Sequence, residues 1–245
     1  MIKPSLEKIL RIHQNRFRPG RSTTSHILAL RRILEGAKAK NLSAALTFID
    51  FKKAFDSIHR GIFMKILRAY GIPDTIVNLI DRMYTDTTAR VITADGLTEI
   101  FKILAGVMQG DTLAPYLFII VIDYIMSLVT DNVNHGFTMT PARSRRYPAE
   151  MVTDADFADD LALLSNTIDE AQQMLTSLEE AAGAVGLIMN ESKTKHMSIN
   201  LASEEQQATL TSSSGNTIEK VDDFTYLGSW IVSSEYDFTI RKAKA

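Results

Sequence analysis

The chain has 245 residues, 45% of them hydrophobic, with a formal net charge of −2 and a pI near 6.2. That is enough for one large domain or two small ones around a buried core, and it excludes disorder as the default. Near-neutral charge gives no global sign of a nucleic-acid partner, though a local basic groove can coexist with it; the absence of cysteine excludes disulfides and thiolate zinc sites.

Met1 to Arg18 carries charges throughout and does not read as a signal peptide. Apolar residues at Ile2, Leu6, Ile9 and Leu10 predict a helix over Ile2 to Ile12, ended by the loop Phe17-Arg18-Pro19-Gly20. Ser22, Thr23 or Thr24 can cap a second helix over Ser25 to Lys40, with Ile27, Leu30, Ile33 and Leu34 inward. Arg18, Arg21, Arg31 and Arg32 form a basic cluster, read either as a solvated face or as phosphate contacts. Ala44 to Ile49 predicts a buried strand ending at Asp50. Helices follow over Ile62 to Tyr70, with Asp56 read as a helix cap, and over Asp74 to Tyr84, with Ile76, Leu79, Ile80 and Met83 inward. Two short strands, Ala89 to Thr93 and Glu99 to Leu104, lead to the glycine-flanked loop Gly106-Val107-Met108-Gln109-Gly110-Asp111. Those glycines would let backbone approach a ligand, and Gln109 supplies a donor and an acceptor.

A strongly apolar helix, Thr112 to Val129, starts at an Asp111 cap with Pro115 in its first turn. Its apolar stretch, from Tyr116 to Ile122, is too short to span a bilayer, so a soluble protein with no membrane partner is expected. Asn132 to Pro148 reads as a polar connection. Ile168 to Val185 predicts a long amphipathic helix closed by Gly186, His196 to Asn200 a strand, Ser203 to Gly215 an exposed insertion, and Phe224 to Trp230 a hairpin.

Phe157-Ala158-Asp159-Asp160 lies between Met151-Val152-Thr153 and Leu161 to Leu164, the pattern of a hairpin with adjacent carboxylates at its bend. Two like charges there need a counter-charge, and a hard divalent ion with oxygen ligands is the natural one. Asp50, at the end of a buried strand, is the third carboxylate such an ion would use. The nearby Asp154-Ala155-Asp156 also matches the Asp-x-Asp of nucleotide-sugar glycosyltransferases, but no alternating α/β half precedes it.

Taken in order, Phe48-Ile49-Asp50 with Ala54-Phe55-Asp56, the Gly106 to Asp111 loop with Pro115, Phe157-Ala158-Asp159-Asp160, and Gly186-Leu187 with Asn190 and Lys193-Thr194 resemble the reverse transcriptase domain of non-LTR, LINE-like retrotransposons. The resemblance covers residues 14 to 228 and implies an α+β right-hand polymerase: partial fingers over 1–43 and a palm over 44–232, an antiparallel sheet backed by helices. Within the palm, 72–105 is expected as a fingers/palm insertion, and 233–245 as the start of a thumb that is otherwise missing. The upstream fingers strands are likewise expected to lie before Met1. The resemblance implies RNA-directed DNA synthesis with two Mg2+ ions, Mn2+ substituting, held by Asp50, Asp159 and Asp160, with an RNA template, a DNA primer and a dNTP as partners. Lys193 would approach the departing pyrophosphate. Phe51, Phe55, Gln109 and Gly110 would meet the nucleotide, Phe55 by crowding a ribose 2′-hydroxyl. Arg18, Arg21, Phe157 and the hairpin residues Tyr226, Leu227 and Gly228 would meet primer and template. Priming at chromosomal DNA implies a nuclear location. Two departures stand out: Phe157 replaces the family's usual tyrosine, and Arg16 stands where glycine is common, which strains the turn if it needs positive φ. With fingers strands and thumb absent, the isolated chain is expected to show little activity, and the alternative reading is an inactive palm remnant that binds RNA weakly.

Overall fold

The computed structural model describes residues 7–131, 135–202, 204–232 and 242. Part of the predicted first helix, at Ile2 and Leu6, and the predicted thumb start at 233–245 apart from Lys242, lie outside the described residues.

A central strand organises the chain. β1 (Ala44–Ile49) is buried at every position, as an apolar run covered on both faces must be. It pairs antiparallel with β9 (Asp160–Ser165) on one side and β10 (Lys195–Ile199) on the other. β8 (Asp154–Phe157) extends the sheet beyond β9, and β11 (Glu219–Lys220) joins β10 in parallel, giving the order β11-β10-β1-β9-β8. Side chains alternate between two cores. Ala45, Ile49, Leu161 and Leu163 face α5 (Ala114–Thr130) and α6 (Ile168–Ala184), while Leu46, Phe48, Ala162 and Leu164 face α1 (Thr23–Ala39). α5 is apolar nearly all round because α6, α3 (Arg60–Ala69) and the sheet enclose it. Ser22 caps α1 through the Ser25 N–H, Thr167 caps α6 through the Glu170 N–H, and Pro115 lies in the first turn of α5. The short helix α2 (Ala54–Ser57) and α4 (Asp74–Tyr84) flank this layer.

Several predicted elements differ. Residues 7–12 form turns instead of a helix, because the Arg11 N–H is taken by the Asp123 carboxylate at 2.9 Å and the chain then runs alongside β8. The acidic hairpin is β8–β9; Met151 and Val152 instead belong to β7 (Glu150–Val152), which pairs with β6 (Phe137–Thr140) inside the stretch read as a connection. On α4 the inward residues are Val77, Ile80 and Tyr84, with Leu79 and Met83 exposed, because the helix packs along one edge of α3. Asp56 does not cap α3; it accepts a hydrogen bond from Gln109. The insertion after Ser203 is partly built in: Leu210 and Ser212 are buried and Gln172 bonds the Thr211 backbone. Between α4 and α5, β2 (Thr88–Ala89), β3 (Ile92–Thr93), β4 (Gly96–Leu97) and β5 (Phe101–Lys102) form an arm with Ile92, Leu97, Phe101 and Leu104 exposed.

Gly106 approaches protein, not ligand. Its φ is +80°, and a Cβ there would lie 2.5 Å from Asp56 Cα, so Gly106→Ala is expected to lower stability by about 2 kcal/mol or more, measured by urea unfolding. Burial lowers the pKa of both His26 and His196 to about 4. The unfolded imidazoles protonate near 6.5 and the folded ones do not until about 4, so the unfolded state binds more protons in that window and stability falls as pH falls through it. Replacing His196 with leucine is expected to flatten this acid limb in denaturation curves recorded between pH 7 and 4.

Candidate active site

The antiparallel register of β1 and β9 pairs Ile49 with Leu161, so the next residues outward, Asp50 and Asp160, leave the sheet facing each other. Phe157 pairs with Asp160, which leaves Ala158 and Asp159 as a two-residue turn. Ala158 takes φ +59°, a conformation costly for a side chain bearing Cβ, and it is fully buried. Gln14 compensates: its Oε1 accepts the Ala158 N–H at 3.0 Å and the Arg16 N–H at 3.1 Å.

Asp50 is fixed through its backbone. Its N–H donates to Thr194 Oγ1 at 3.3 Å and its carbonyl accepts the Asn190 N–H at 2.7 Å. Asp50 Oδ2 is buried without a hydrogen-bond partner, with the mostly exposed Lys193 ammonium 3.7 Å away. Asp159 lies 3.6 Å from the Arg16 guanidinium. The Asp160 pKa is pushed up to about 6, first by burial, then by the charges of Asp159 and Asp50, against the pull of Arg16. Asp50, Asp160 and Lys193 line a cleft of about 380 Å³ with Phe224 and Leu227. Among the described residues no three His, Cys, Asp or Glu side chains stand close enough to hold a metal ion as arranged. The carboxylates of Asp50 and Asp159 are each drawn to a separate cation, and like charges favour that separation. The donor set still suits a hard cation: carboxylate oxygens, one of them buried without a hydrogen-bond partner, around a group that holds its proton up to about pH 6.

The other predicted residues divide. Phe55 stacks on Phe118 with centroids 4.0 Å apart and sits against the Gln109 loop, where the Val107 N–H donates to the Phe55 carbonyl at 2.8 Å. Gln109 and Gly110 are exposed, and Gln109 Nε2 donates to Asp56 at 2.9 Å. Phe157 is half-buried against His26, and Leu227 and Gly228 form the turn between β12 (Thr225–Tyr226) and β13 (Ser229–Trp230). Three assignments need correction. The Phe51 ring is buried, its segment bridging to Met189, so the side chain cannot meet a nucleotide. Arg18 is almost enclosed and donates to the Arg11 and Gln14 carbonyls at 2.6 and 3.0 Å and to Glu7, so it knits its own segment and is not open to phosphate. Tyr226 is buried too. Its hydroxyl donates to the Asp160 carbonyl at 2.8 Å, and burial followed by the nearby carboxylates holds its pKa well up. Arg21 is exposed and bonds Asn15.

Sequence reasoning missed the layer under the hairpin. Asp154 and Asp156, on one face of β8, are buried against Arg11, whose guanidinium contacts them at 2.6 and 3.4 Å. Asp123 joins through the Arg11 N–H and the Tyr70 hydroxyl, 2.7 Å away. Burial and the Asp154 charge push the Asp156 pKa well up. The Asp-x-Asp therefore serves the protein interior and not a sugar nucleotide. Its spacing put both acids on one strand face, and that face needed a cation. Positive φ in the loop before it falls on Phe17, at 58°, and not on Arg16.

Comparison with known proteins agrees with this geometry. The family model described as reverse transcriptase (RNA-dependent DNA polymerase) matches residues 1–231. A Pol polyprotein from the type-1 retrotransposable element R2 of Popillia japonica is 30% identical over 63% of the chain and 24% of its own length; that of the type-2 element R2DM of Drosophila melanogaster is 29% identical over 76% and 17%. The chain thus spans a quarter or less of these curated relatives. Telomerase from Candida albicans, solved with a fragment of telomeric RNA, superposes with a TM-score of 0.64 at 11% identity over 96% of this chain and 36% of that one. Apo telomerase from Candida tropicalis gives 0.59 at 14% over 93% and 37%, so the fold is that of a polymerase palm with fingers elements. The register that sets Asp50 against Asp160 and the match over residues 1–231 lead to one conclusion: the chain belongs to the reverse transcriptase (RNA-dependent DNA polymerase) family.

Proposed function

We propose that this chain is the catalytic core of a retrotransposon polymerase that copies an RNA template onto a DNA primer from dNTPs, with its palm over 44–232 and a fingers segment over 1–43. The observation that carries the reading is the meeting of Asp50 and Asp160 across β1 and β9, with Asp159 at the adjoining turn, in a chain of this family. Asp50, Asp159 and Asp160 would hold two divalent cations, Mg2+ or Mn2+ in its place, which supply Lewis-acid charge at the attacking hydroxyl and the leaving pyrophosphate.

The remaining work falls to side chains. The Lys193 ammonium, mostly exposed beside Asp50, reaches the departing pyrophosphate and donates a proton to it. Phe55, backed by Phe118, keeps a rigid ring where a ribose 2′-hydroxyl would enter. Gln109 can exchange its bond to Asp56 for one to the template or nucleotide. Phe157, Arg21 and the turn at Leu227 and Gly228 lie where primer and template would pass, while Tyr226 acts by holding the Asp160 backbone.

RNA-templated primer extension with Mg2+, run on the polypeptide that carries this chain, tests the reading. Asp159→Asn is expected to reduce extension by about 100-fold or more with folding intact, and extension that survives the substitution would sink the proposal. Phe55→Val is expected to lower the dNTP-to-rNTP ratio of kcat/KM by at least about tenfold. A loss of stability alone would slow both substrates and leave that ratio unchanged.

A further inference from the structure

Among the described residues, two cations meet the catalytic carboxylates, and they differ in how they are held. Lys193 is mostly exposed and stands 3.7 Å from Asp50. Arg16 is built in. Its segment runs beside β8 through a parallel bridge of Gln14 and Asp156, with the Asn15 N–H donating to the Asp156 carbonyl at 2.9 Å and the Asp156 N–H to the His13 carbonyl at 3.3 Å. Gln14, fully buried, then ties the Arg16 and Ala158 amides to one oxygen, which fixes the Arg16 backbone against the turn carrying Asp159. The guanidinium carbon stands 4.9 Å from the Phe17 ring centroid and 5.5 Å from that of Phe157, so two aromatic faces steer it. It reaches Asp159 at 3.6 Å by one nitrogen, without the paired geometry of a strong arginine–carboxylate contact, and both partners are a little over a third exposed. The pair is placed with care and bound loosely.

We infer that Arg16 is a positioning residue that occupies the cation side of Asp159 before a divalent ion arrives, so that the ion must displace it to take the carboxylate. The inference rests on the assignment of Asp159 as a metal ligand under the proposed function. The competition is set by distance and salt, and it lowers the affinity of the free site for metal. A surface-type ion pair of this kind corresponds to about a two- to fivefold effect.

The test is Mn2+ binding to the nucleotide-free chain, followed by calorimetry or by electron paramagnetic resonance, for the natural chain, Arg16→Gln, Arg16→Ala and Asp159→Asn. Both Arg16 variants are expected to bind Mn2+ about two- to fivefold more tightly, with the difference shrinking as salt is raised. Thermal melts confirm that the variants fold. Binding abolished by Asp159→Asn yet unchanged or weakened in both Arg16 variants would overturn the inference alone. Binding that is absent, or indifferent to Asp159→Asn, would overturn the metal assignment and this inference with it.

Discussion

Repulsion between carboxylates is the constraint around which the site is arranged. Asp50 and Asp160 face each other because β1 and β9 are in one register, and a slip of one residue would turn Asp50 to the opposite face. Slippage is resisted because β1 is buried on both faces and paired on both edges. The fold thus holds two acids together that would otherwise separate, and Asp160, pushed up first by burial and then by the charges of Asp159 and Asp50, keeps its proton up to about pH 6. That response has a stability sign opposite to the buried histidines. Between the ordinary carboxyl value of 3.8 and about 6 the folded state holds a proton that the unfolded state has released, so rising pH through this window costs stability. A cation that neutralises the site would remove that cost.

The hairpin is held from below by a second charged group. Asp154 and Asp156 share one guanidinium, that of Arg11, whose backbone N–H donates to Asp123, and burial with the Asp154 charge favours a retained proton on Asp156. Buried ion pairs contribute little net stability, since desolvation offsets their attraction. Their consequence here is positional. β8 can neither rotate nor slide without leaving a buried acid unpaired, so the turn it feeds stays in place despite the left-handed Ala158. From above, the Tyr226 hydroxyl holds the Asp160 carbonyl, and Arg31 donates to the Trp230 carbonyl at 2.6 Å and so braces the same small hairpin.

The parts legible in the sequence are those where one physical requirement acts alone. An unbroken apolar run had to be a covered strand, which located β1 and Asp50; helical spacing located α1 and α6, and continuous apolarity after an Asp111 cap located α5, nearly to their ends. Adjacent aspartates between apolar runs located the turn. The misreadings arose where a distant partner decided the outcome. Helical spacing near Ile9 was overruled by the Asp123 carboxylate, more than a hundred residues away, and Arg18 was drawn inward by carbonyls of its own loop. The Gly106 spacing correctly marked a close backbone approach, but the surface approached is Asp56. Nothing local in Asp154-Ala155-Asp156 names Arg11 as its partner.

The joints of the site are made chiefly by backbone. Asp50 is tied by the Asn190 amide, the Lys52 amide donates to the Ile188 carbonyl at 2.8 Å, the His59 amide to the Val185 carbonyl at 2.8 Å, and the Gly106 amide to the Ile58 carbonyl at 2.8 Å. Such bonds are indifferent to side-chain identity except where a Cβ would intrude, as at Gly186, where it would stand 2.7 Å from the Ser57 carbonyl oxygen. The frame therefore depends on a few glycines and on the two registers of β1 more than on the identity of most side chains. This also explains how an arginine can stand at position 16 without disturbing that frame. The chain meets β8 through the amides and carbonyls of residues 13 to 15, and positive φ is taken by Phe17, which leaves the Arg16 side chain free to turn toward Asp159.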